Sequence, residues 1–220
     1  MDYLIYHGTH YLVYSFIWWC FLAATVVSAG YHRYFSHRAF NAGIWYEYFV
    51  LVLGPLSGAG HCLGWVGAHR MHHKHSDTVL DPHSPKYIGI LKTLTSTWKV
   101  ERIPRQYIKD LLRNKRVMWF YKHHTDIRIL TLATSWVFIG MNNWLWFIVM
   151  PMVWGYIGFG LLNTLCHRNG KVRNSVFVNI FTMGEGWHVN HHKDSSDWRI
   201  GKKWWQWDPA AWFIRLIKKS

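Results

Sequence analysis

The chain has 220 residues and a formal net charge of +14, a length that suggests one domain with ample material for a core. No nucleic-acid-binding motif accompanies the positive charge, so nucleic acid is excluded as an expected partner. The mean hydropathy of −0.06 hides a segregation of charge, because the 25 Lys and Arg residues are absent from residues 1–32, 39–69 and 129–167. Together with 16 Trp and 12 Tyr, this pattern is typical of membrane-spanning segments with aromatic residues at the bilayer interface. The basic residues in the rest of the chain would suit binding to anionic lipid headgroups or to an acidic partner.

The first predicted element is a transmembrane helix at residues 11–30, which carry no charged side chain. About twenty helical residues span about 30 Å, the thickness of the hydrocarbon core. Arg33 and Arg38 follow this segment, so we expect its end to lie on the cytoplasmic side.

Residues 43–68 are mostly apolar but are interrupted by Glu47 and Pro55. Histidine clusters flank both ends, so the segment must begin and end on one side of the membrane if the clusters serve one site. A segment of this length is too short to cross a core of about 30 Å twice as a helix. We therefore predict an interfacial or re-entrant segment broken near Gly54-Pro55. The alternative, a single span, would place the flanking clusters on opposite faces.

Residues 129–167 contain no acidic or basic side chain before His167, and the stretch is too long for one span. The turn composition of residues 140–143 predicts a hairpin of two spans, at 126–140 and 144–166. The expected fold class is an all-α integral membrane protein, with about three transmembrane helices plus the re-entrant or interfacial segment.

The remaining residues, 69–125 and 167–220, are expected to form a cytoplasmic, histidine-rich cap, with residues 1–220 making a single domain. Within the cap, Pro104 predicts the start of a basic amphipathic helix. Asp208-Pro209 predicts the N-cap and first residue of a tail helix that lies in the plane of the interface.

Three histidine clusters and a looser Asn/His pair follow or separate the apolar stretches. They read His32-Arg-Tyr-Phe-Ser-His37, His69-Arg-Met-His72-His73, His188-Val-Asn-His191-His192 and Asn163-Thr-Leu-Cys-His167. Residues three and four apart share a face of a helix, so the members of the last three motifs should point together. His32 and His37 are five apart, about 140° around an α-helix, and should diverge unless they flank a wide site or the helix ends between them. Such a divergence suits two metal ions better than one.

The composition of these clusters predicts a pair of redox-active metal ions. Neutral imidazole suits Zn, Cu, Fe and Ni, and nine histidines are too many for one ion. The carboxylates typical of soluble di-iron bundles are missing. Asp77, Asp81 and Glu185 are expected to orient the histidines from outside. Oxygen chemistry on a lipid is the expected use of such a site at a membrane surface. Seven histidines are expected to take no part, namely His7, His10, His61, His75, His83, His123 and His124.

These motifs resemble those of the membrane-bound fatty acid desaturases, in particular the Δ9 acyl-lipid and acyl-CoA enzymes. The resemblance runs from about residue 11 to the end of the chain. It includes Gly184-Glu-Gly-Trp187 before the last cluster, Asp81-Pro-His83 after the second, and the Trp-rich segment at Asp208-Pro209.

The resemblance implies two Fe ions, O2 as co-substrate, and formation of a cis double bond, at the Δ9 position, in a saturated acyl chain linked to a lipid or to CoA. It implies that the electrons come from a ferredoxin or a cytochrome b5 type donor. Residue by residue, it implies metal ligands at His32, His37, His69, His72, His73, His167, His188, His191 and His192, with Asn163 acting weakly or through water.

Two features depart from the animal acyl-CoA enzymes. Only one span precedes the first cluster, and Gly67 and Ala68 stand where those enzymes place an Arg and an Asp that meet the CoA head. These departures favour the bacterial acyl-lipid type, with ferredoxin as donor. Two alternatives remain open: a hydroxylase or ketolase on the same histidine framework, and a non-enzymatic membrane protein that binds metal or carries electrons.

Overall fold

The computed structural model describes residues 2–95, 100 and 102–219, with side chains from Gly8 onward. All regular structure in these residues is helical, which confirms the all-α prediction. The α-helices are, in chain order, α1 Asp2–Leu22, α2 Ile44–Leu53, α3 Cys62–His75, α4 Pro85–Ile88, α5 Ile90–Leu94, α6 Lys109–Arg113, α7 Lys115–Lys122, α8 His124–Trp144, α9 Met150–Leu165, α10 Val176–Thr182, α11 His188–Lys193 and α12 Pro209–Ile217.

The first helix is the centre of the fold. α1 continues without a break into a π-helical segment, Ala23–Ser36, which α2, α3 and α12 surround. Almost every residue of the π-helical segment is buried. At Gly30 the backbone lies so close to α2 that an added Cβ would stand 2.6 Å from a methyl of Val50. The stretch Gly8–Ser36 is long and apolar enough to cross a membrane.

The chain turns back on itself within α8. Gly140 has a φ of 74°, which breaks the helix, and the indole nitrogen of Trp144 donates to the carbonyl of Leu132 at 2.9 Å. A straight helix would hold these two residues about 18 Å apart. The turn lies at residues 140–143, whose composition predicted it.

The second limb of this hairpin, α9, packs on α1, where Trp154 Nε1 donates to Ser15 Oγ at 3.2 Å. The stretch His124–Gly170, which contains the hairpin, is the second candidate membrane span by length and composition. A third candidate exists only if Ile44–Ser57 and Cys62–His75 are taken together, and these two helices are bent by 85°. That bend follows Gly54–Ser57, close to the predicted break, so the pair has the shape of a broken or re-entrant segment.

The cap differs from the prediction after Pro104. In place of one amphipathic helix, a 3-10 turn at Arg105–Tyr107 leads into α6, and Asn114 then separates α6 from α7. The Asn114 side chain accepts hydrogen bonds from the N–H groups of Arg116 and Val117 at 3.0 and 3.2 Å. Asparagine is a strong N-cap, so it starts a new helix here and does not continue the old one.

The tail helix α12 begins as predicted. Asp208 Oδ1 accepts a hydrogen bond from the N–H of Ala211 at 3.0 Å, and Pro209 is the first helical residue. Ala210 and Ile214 are buried against the π-helical segment. Leu216 faces away from the protein. The helix therefore presents an outer apolar side chain, as an element at the membrane interface does.

Candidate metal centre

The histidines of the predicted clusters converge into two groups in which the candidate ligand atoms all lie within 4.8 Å of one another. Group A consists of His32, His37, His69, His73 and His191. Group B consists of His72, His167, His188 and His192. The sequence motifs do not correspond to the groups, because each His-His pair is divided between them.

This division follows from helix geometry. Neighbouring residues differ by about 100° around an α-helix. On α3, His73 therefore turns toward group A while His72 turns toward group B. On α11, His191 and His192 divide in the same way. Two short helices thus supply ligands to both groups, which holds the groups side by side.

In group A, the Nε2 atoms of the histidines point toward one another. His37 Nε2 lies 2.8 Å from His69 Nε2, and His191 Nε2 lies 2.8 Å from His73 Nε2 and 3.0 Å from His32 Nε2. His32 and His37 do not diverge, since their ring centroids are 4.8 Å apart and the helical segment ends at Ser36, between them. The π-helical backbone between them repeats at i→i+5, and His37 N–H donates to the carbonyl of His32 at 3.1 Å.

Group B has the same character. His188 Nε2 lies 2.9 Å from His167 Nε2 and 3.2 Å from His192 Nε2, and His72 Nε2 lies 3.4 Å from His192 Nε2. His167 stands two residues beyond the end of α9, close to the last predicted span as expected. Asn163, one turn earlier on α9, lines the cavity beside this group.

Three carboxylates face the outer nitrogens of the histidines, as predicted. Asp81 lies 2.9 Å from His72 Nδ1, Asp77 lies 3.1 Å from His167 Nδ1, and Glu185 lies 2.7 Å from His32 Nδ1. Each carboxylate favours a proton on Nδ1, so Nε2 keeps its lone pair. Lone pairs that converge at these distances repel one another unless a cation lies between them.

Burial and neighbouring histidines favour the neutral imidazole, which is the state that binds metal, at His37 in group A and at His192 in group B. Burial, followed by the influence of His32, lowers the pKa of His37 to about 2. Burial and His167 lower the pKa of His192 to about 3. Burial alone would raise the pKa of Glu185, but His32 and Arg33 outweigh it and hold that pKa at about 2. Neutral imidazoles at His37 and His192 and an ionised carboxylate at Glu185 suit a histidine metal site.

Sequence reasoning missed His83, which was expected to be a bystander. Its ring is buried and stacks on His72 at a centroid distance of 4.3 Å, and Asp81 completes a compact set of three. The backbone N–H of His83 donates to Asp81 Oδ1 at 3.1 Å. The Asp81-Pro-His83 motif could have indicated this position, because its turn brings His83 back beside His72 on α3.

The other expected bystanders lie outside groups A and B where their side chains are described. His61 caps α3 by accepting from the N–H of Gly64 at 2.9 Å. His75 lies 2.9 Å from the hydroxyl of Tyr107. His123 lies 3.7 Å from Asp126 at the surface. The side chain of His7 is outside the described part of the chain.

A cavity of about 630 Å³ adjoins both groups. Its apolar lining includes Trp19, Ala23, Val27, Leu63, Trp65 and Phe159, and its polar lining includes His69, His72 and His188. Ligand cavities typically have volumes of about 300–1,000 Å³, mostly apolar walls and a few polar groups. The cavity can hold an extended apolar chain with part of that chain beside the histidines.

Comparison with known proteins identifies the family. The chain is 32% identical over 236 residues to Delta-9 acyl-lipid desaturase 2 of Arabidopsis thaliana, an alignment that covers 94% of this chain and 73% of that protein. The chain belongs to the fatty acid desaturase family. The chain is also 32% identical over 212 residues to an acyl-CoA 5-desaturase of Anemone leveillei, with 90% of this chain and 65% of that protein covered. It is 31% identical over 214 residues to an sn-1 stearoyl-lipid 9-desaturase of Synechocystis sp., with 87% and 64% covered.

The chain spans about two thirds of the length of these relatives, from 64% to 73%. No protein-family model matches it. This member of the family combines two histidine groups that could hold metal with an apolar cavity and candidate membrane spans.

Proposed function

We propose that this protein is an O2-dependent desaturase that introduces a cis double bond into a saturated fatty acyl chain at a di-iron centre. The observation that carries the proposal is that members of both histidine groups line a largely apolar cavity. Group A would hold one ion and group B the other, with Asn163 acting weakly or through water beside group B.

The distances within each group fit a metal ion. Two imidazole nitrogens bound at right angles to one ion, at about 2.1 Å each, stand about 3.0 Å apart. The Nε2 pairs of both groups lie at 2.8–3.4 Å. Imidazole accepts several first-row metals, and desaturation needs one that changes its oxidation state, which favours iron over zinc. The bound ions would supply the activation of O2 and the removal of hydrogen from the acyl chain.

The protein's own residues have the tasks of positioning and exclusion. Trp65 stacks on His69 at a centroid distance of 5.0 Å, so it covers a member of group A on the cavity side. Ala23 and Val27 leave a smooth apolar wall along the π-helical segment. An acyl chain held there would be oriented and shielded from water, which favours reaction at one C–C bond over the others.

The apolar surroundings of Gly67 and the burial of Ala68 on α3 support a lipid-linked substrate. An added Cβ at Gly67 would stand 2.6 Å from a methyl of Ile103, so the backbone there is closed by apolar contact. Ala68 is buried in the cavity wall. Neither position offers charge to a CoA head. The Δ9 position is proposed from the acyl-lipid relatives, although the Anemone relative is named for another position.

The proposed reaction also needs an electron donor and a position at the membrane. The reaction requires two electrons from a separate donor, for which a ferredoxin or a cytochrome b5 type carrier is proposed. The net charge of +14 suits an acidic carrier. Residues 1–220 would act as one domain in the bilayer, with the histidine groups on the cytoplasmic side.

The test is expression in a host that lacks its own desaturase, with fatty acid methyl esters analysed by gas chromatography and mass spectrometry. We expect a new cis monoene from the parent and none from His72→Ala. His123→Ala, which changes a histidine at the surface, is the matched control and should leave the product unchanged. The position of the double bond decides the regiochemistry.

Two results would contradict the proposal. A hydroxylated or oxidised chain in place of the alkene would identify a hydroxylase or ketolase on the same framework. Metal binding without any lipid product, with a reductant and donor supplied, would favour a metal-binding or electron-carrying protein.

A further inference from the structure

Arg33 is a charged residue that the fold buries completely. Its side chain is 1% exposed, although the sequence suggested a surface marker of membrane topology. Nη1 donates to the carbonyl of Trp198 at 2.7 Å, and the guanidinium pairs with Asp208 at 2.9 Å and with Glu185 at 3.2 Å. The guanidinium therefore bridges two buried carboxylates from distant parts of the chain.

The first of these carboxylates reaches the metal centre. Glu185 points one oxygen, Oε2, at His32 Nδ1 at 2.7 Å, and its other oxygen, Oε1, is held by Arg33 and by the hydroxyl of Ser28. His32 in turn directs Nε2 into group A. The orientation of His32 thus depends on where Arg33 holds Glu185.

The second carboxylate reaches the tail. Asp208 Oδ2 accepts from the N–H groups of Ile200 and Gly201 at 2.9 and 3.1 Å, while Oδ1 accepts from Ala211 and caps α12. A continuous series of polar contacts therefore runs from α12 through Asp208, Arg33 and Glu185 to His32.

The backbone is shaped around this series. Gly184 has a φ of +129°, and an added Cβ would stand 2.4 Å from Asp208 Oδ1 and 2.8 Å from Arg33 Nη2. Only glycine leaves room for both groups at this point. The residue immediately before Glu185 is therefore one that allows the Arg33–Asp208 pair to come close.

Stability alone does not account for such a network. Replacing a buried set of charges by apolar residues of similar volume is often neutral or stabilising. What a planar guanidinium adds is geometry, since its fork fixes two carboxylates at once. The other outer carboxylates differ, because Asp81 is held by the backbone N–H groups of Asp77 and His83.

We infer that Arg33 and Asp208 are positioning residues of the metal centre, which hold Glu185 against His32 and so make retention of the ion in group A depend on the C-terminal helix. The inference rests on the proposed function only in taking iron as the ion.

The experiment measures metal retention in the purified full-length chain in detergent, loaded with iron and then exposed to a chelator. Iron per chain is counted at intervals, and the thermal midpoint of the metal-free protein is recorded for each variant. Asp208→Asn is the main variant, because the amide oxygen can still cap α12 while the second oxygen, which accepts from Arg33, Ile200 and Gly201, is replaced by a donor and the charge is lost. Arg33→Lys keeps the charge but cannot bridge two carboxylates. Asp197→Asn, a surface acid that pairs with Arg199 and Lys202, is the matched control.

We expect Asp208→Asn and Arg33→Lys to lose one of the two ions at least ten times faster than the parent, with the second ion retained. Asp208→Glu should restore part of the retention, and Asp197→Asn should match the parent. Equal retention in Asp208→Asn and the parent would overturn the inference. So would loss of both ions in parallel with a lower midpoint of the metal-free protein, which indicates a structural role only. Lipid analysis of the parent tests the proposed function separately, because a parent that holds two ions and forms no alkene contradicts that function alone.

Discussion

His32 and His37 lie five residues apart, and their ring centroids stand 4.8 Å apart because the backbone between them is π-helical. On an α-helix these side chains would be separated by about 140°. The wider turn of the π-helix brings both rings into group A. An unusual backbone at this position therefore decides which histidines can share an ion.

The packing of that π-helical segment leads to the first prediction. Gly30→Ala should place a Cβ 2.6 Å from a methyl of Val50, a β-branched residue that cannot move aside easily. We expect the variant to lose about 1–3 kcal/mol of stability and to bind less metal. Combining it with Val50→Ala should recover much of the loss, since that change removes the obstructing methyls. Thermal unfolding in detergent measures both effects, and additive losses in the double variant would contradict the packing argument.

The second prediction concerns the carboxylate that orients His72. Asp81→Ala should remove the contact with Nδ1 at 2.9 Å and free the ring to turn. Loss of such an outer partner typically lowers metal affinity or activity by about 10–100-fold. Asp126→Ala is the matched control, because Asp126 stands beside His123 in a similar pair that is exposed. Metal titration of both variants checks the prediction, and equal affinities would refute it.

The third prediction is the pH dependence of the metal-free protein. His37 and His192 have pKa values lowered to about 2 and about 3 in the folded state, against about 6.5 in the unfolded chain. Between these values the unfolded chain binds more protons than the folded one, so stability falls as the pH drops below about 6.5. Each such histidine contributes up to about 1.4 kcal/mol per pH unit.

Thermal midpoints of the metal-free protein, recorded in one detergent from neutral to acidic pH, measure this slope. Replacing His37 and His192 by Asn should flatten it, whereas His123→Ala should not. A midpoint that is independent of pH in the parent would show that these histidines are not buried as neutral groups.

The fourth prediction concerns the cavity. Ala23 is buried in its wall, so Ala23→Leu should shorten the space for an acyl chain. We expect the ratio of product from long chains to product from short chains to fall, while total metal stays the same. Ala133→Leu adds the same side chain to an exposed position on α8 and is the control. Product analysis with mixed saturated substrates gives the ratio, and an unchanged ratio would remove Ala23 from the acyl site.

The sequence alone was sufficient for the features that depend on neighbouring residues. Uncharged stretches long enough for a bilayer predicted the first helix and the hairpin, since backbone hydrogen bonds in an apolar medium must be made within the segment. The spacing of His69 and His73 predicted a shared helical face, and Asp208-Pro209 predicted a helix start. Residue types also sufficed to predict a metal site with outer carboxylates at Asp77, Asp81 and Glu185.

Only the tertiary structure decided how these parts combine. The division of each His-His pair between two groups depends on which helices face each other, and such contacts join residues more than a hundred positions apart. The π-helical turn between His32 and His37 depends on packing around the segment, which local spacing does not encode. Arg33 reads as a surface charge in the sequence. It is buried because Glu185 and Asp208, far along the chain, neutralise it once the tail helix packs on the first helix.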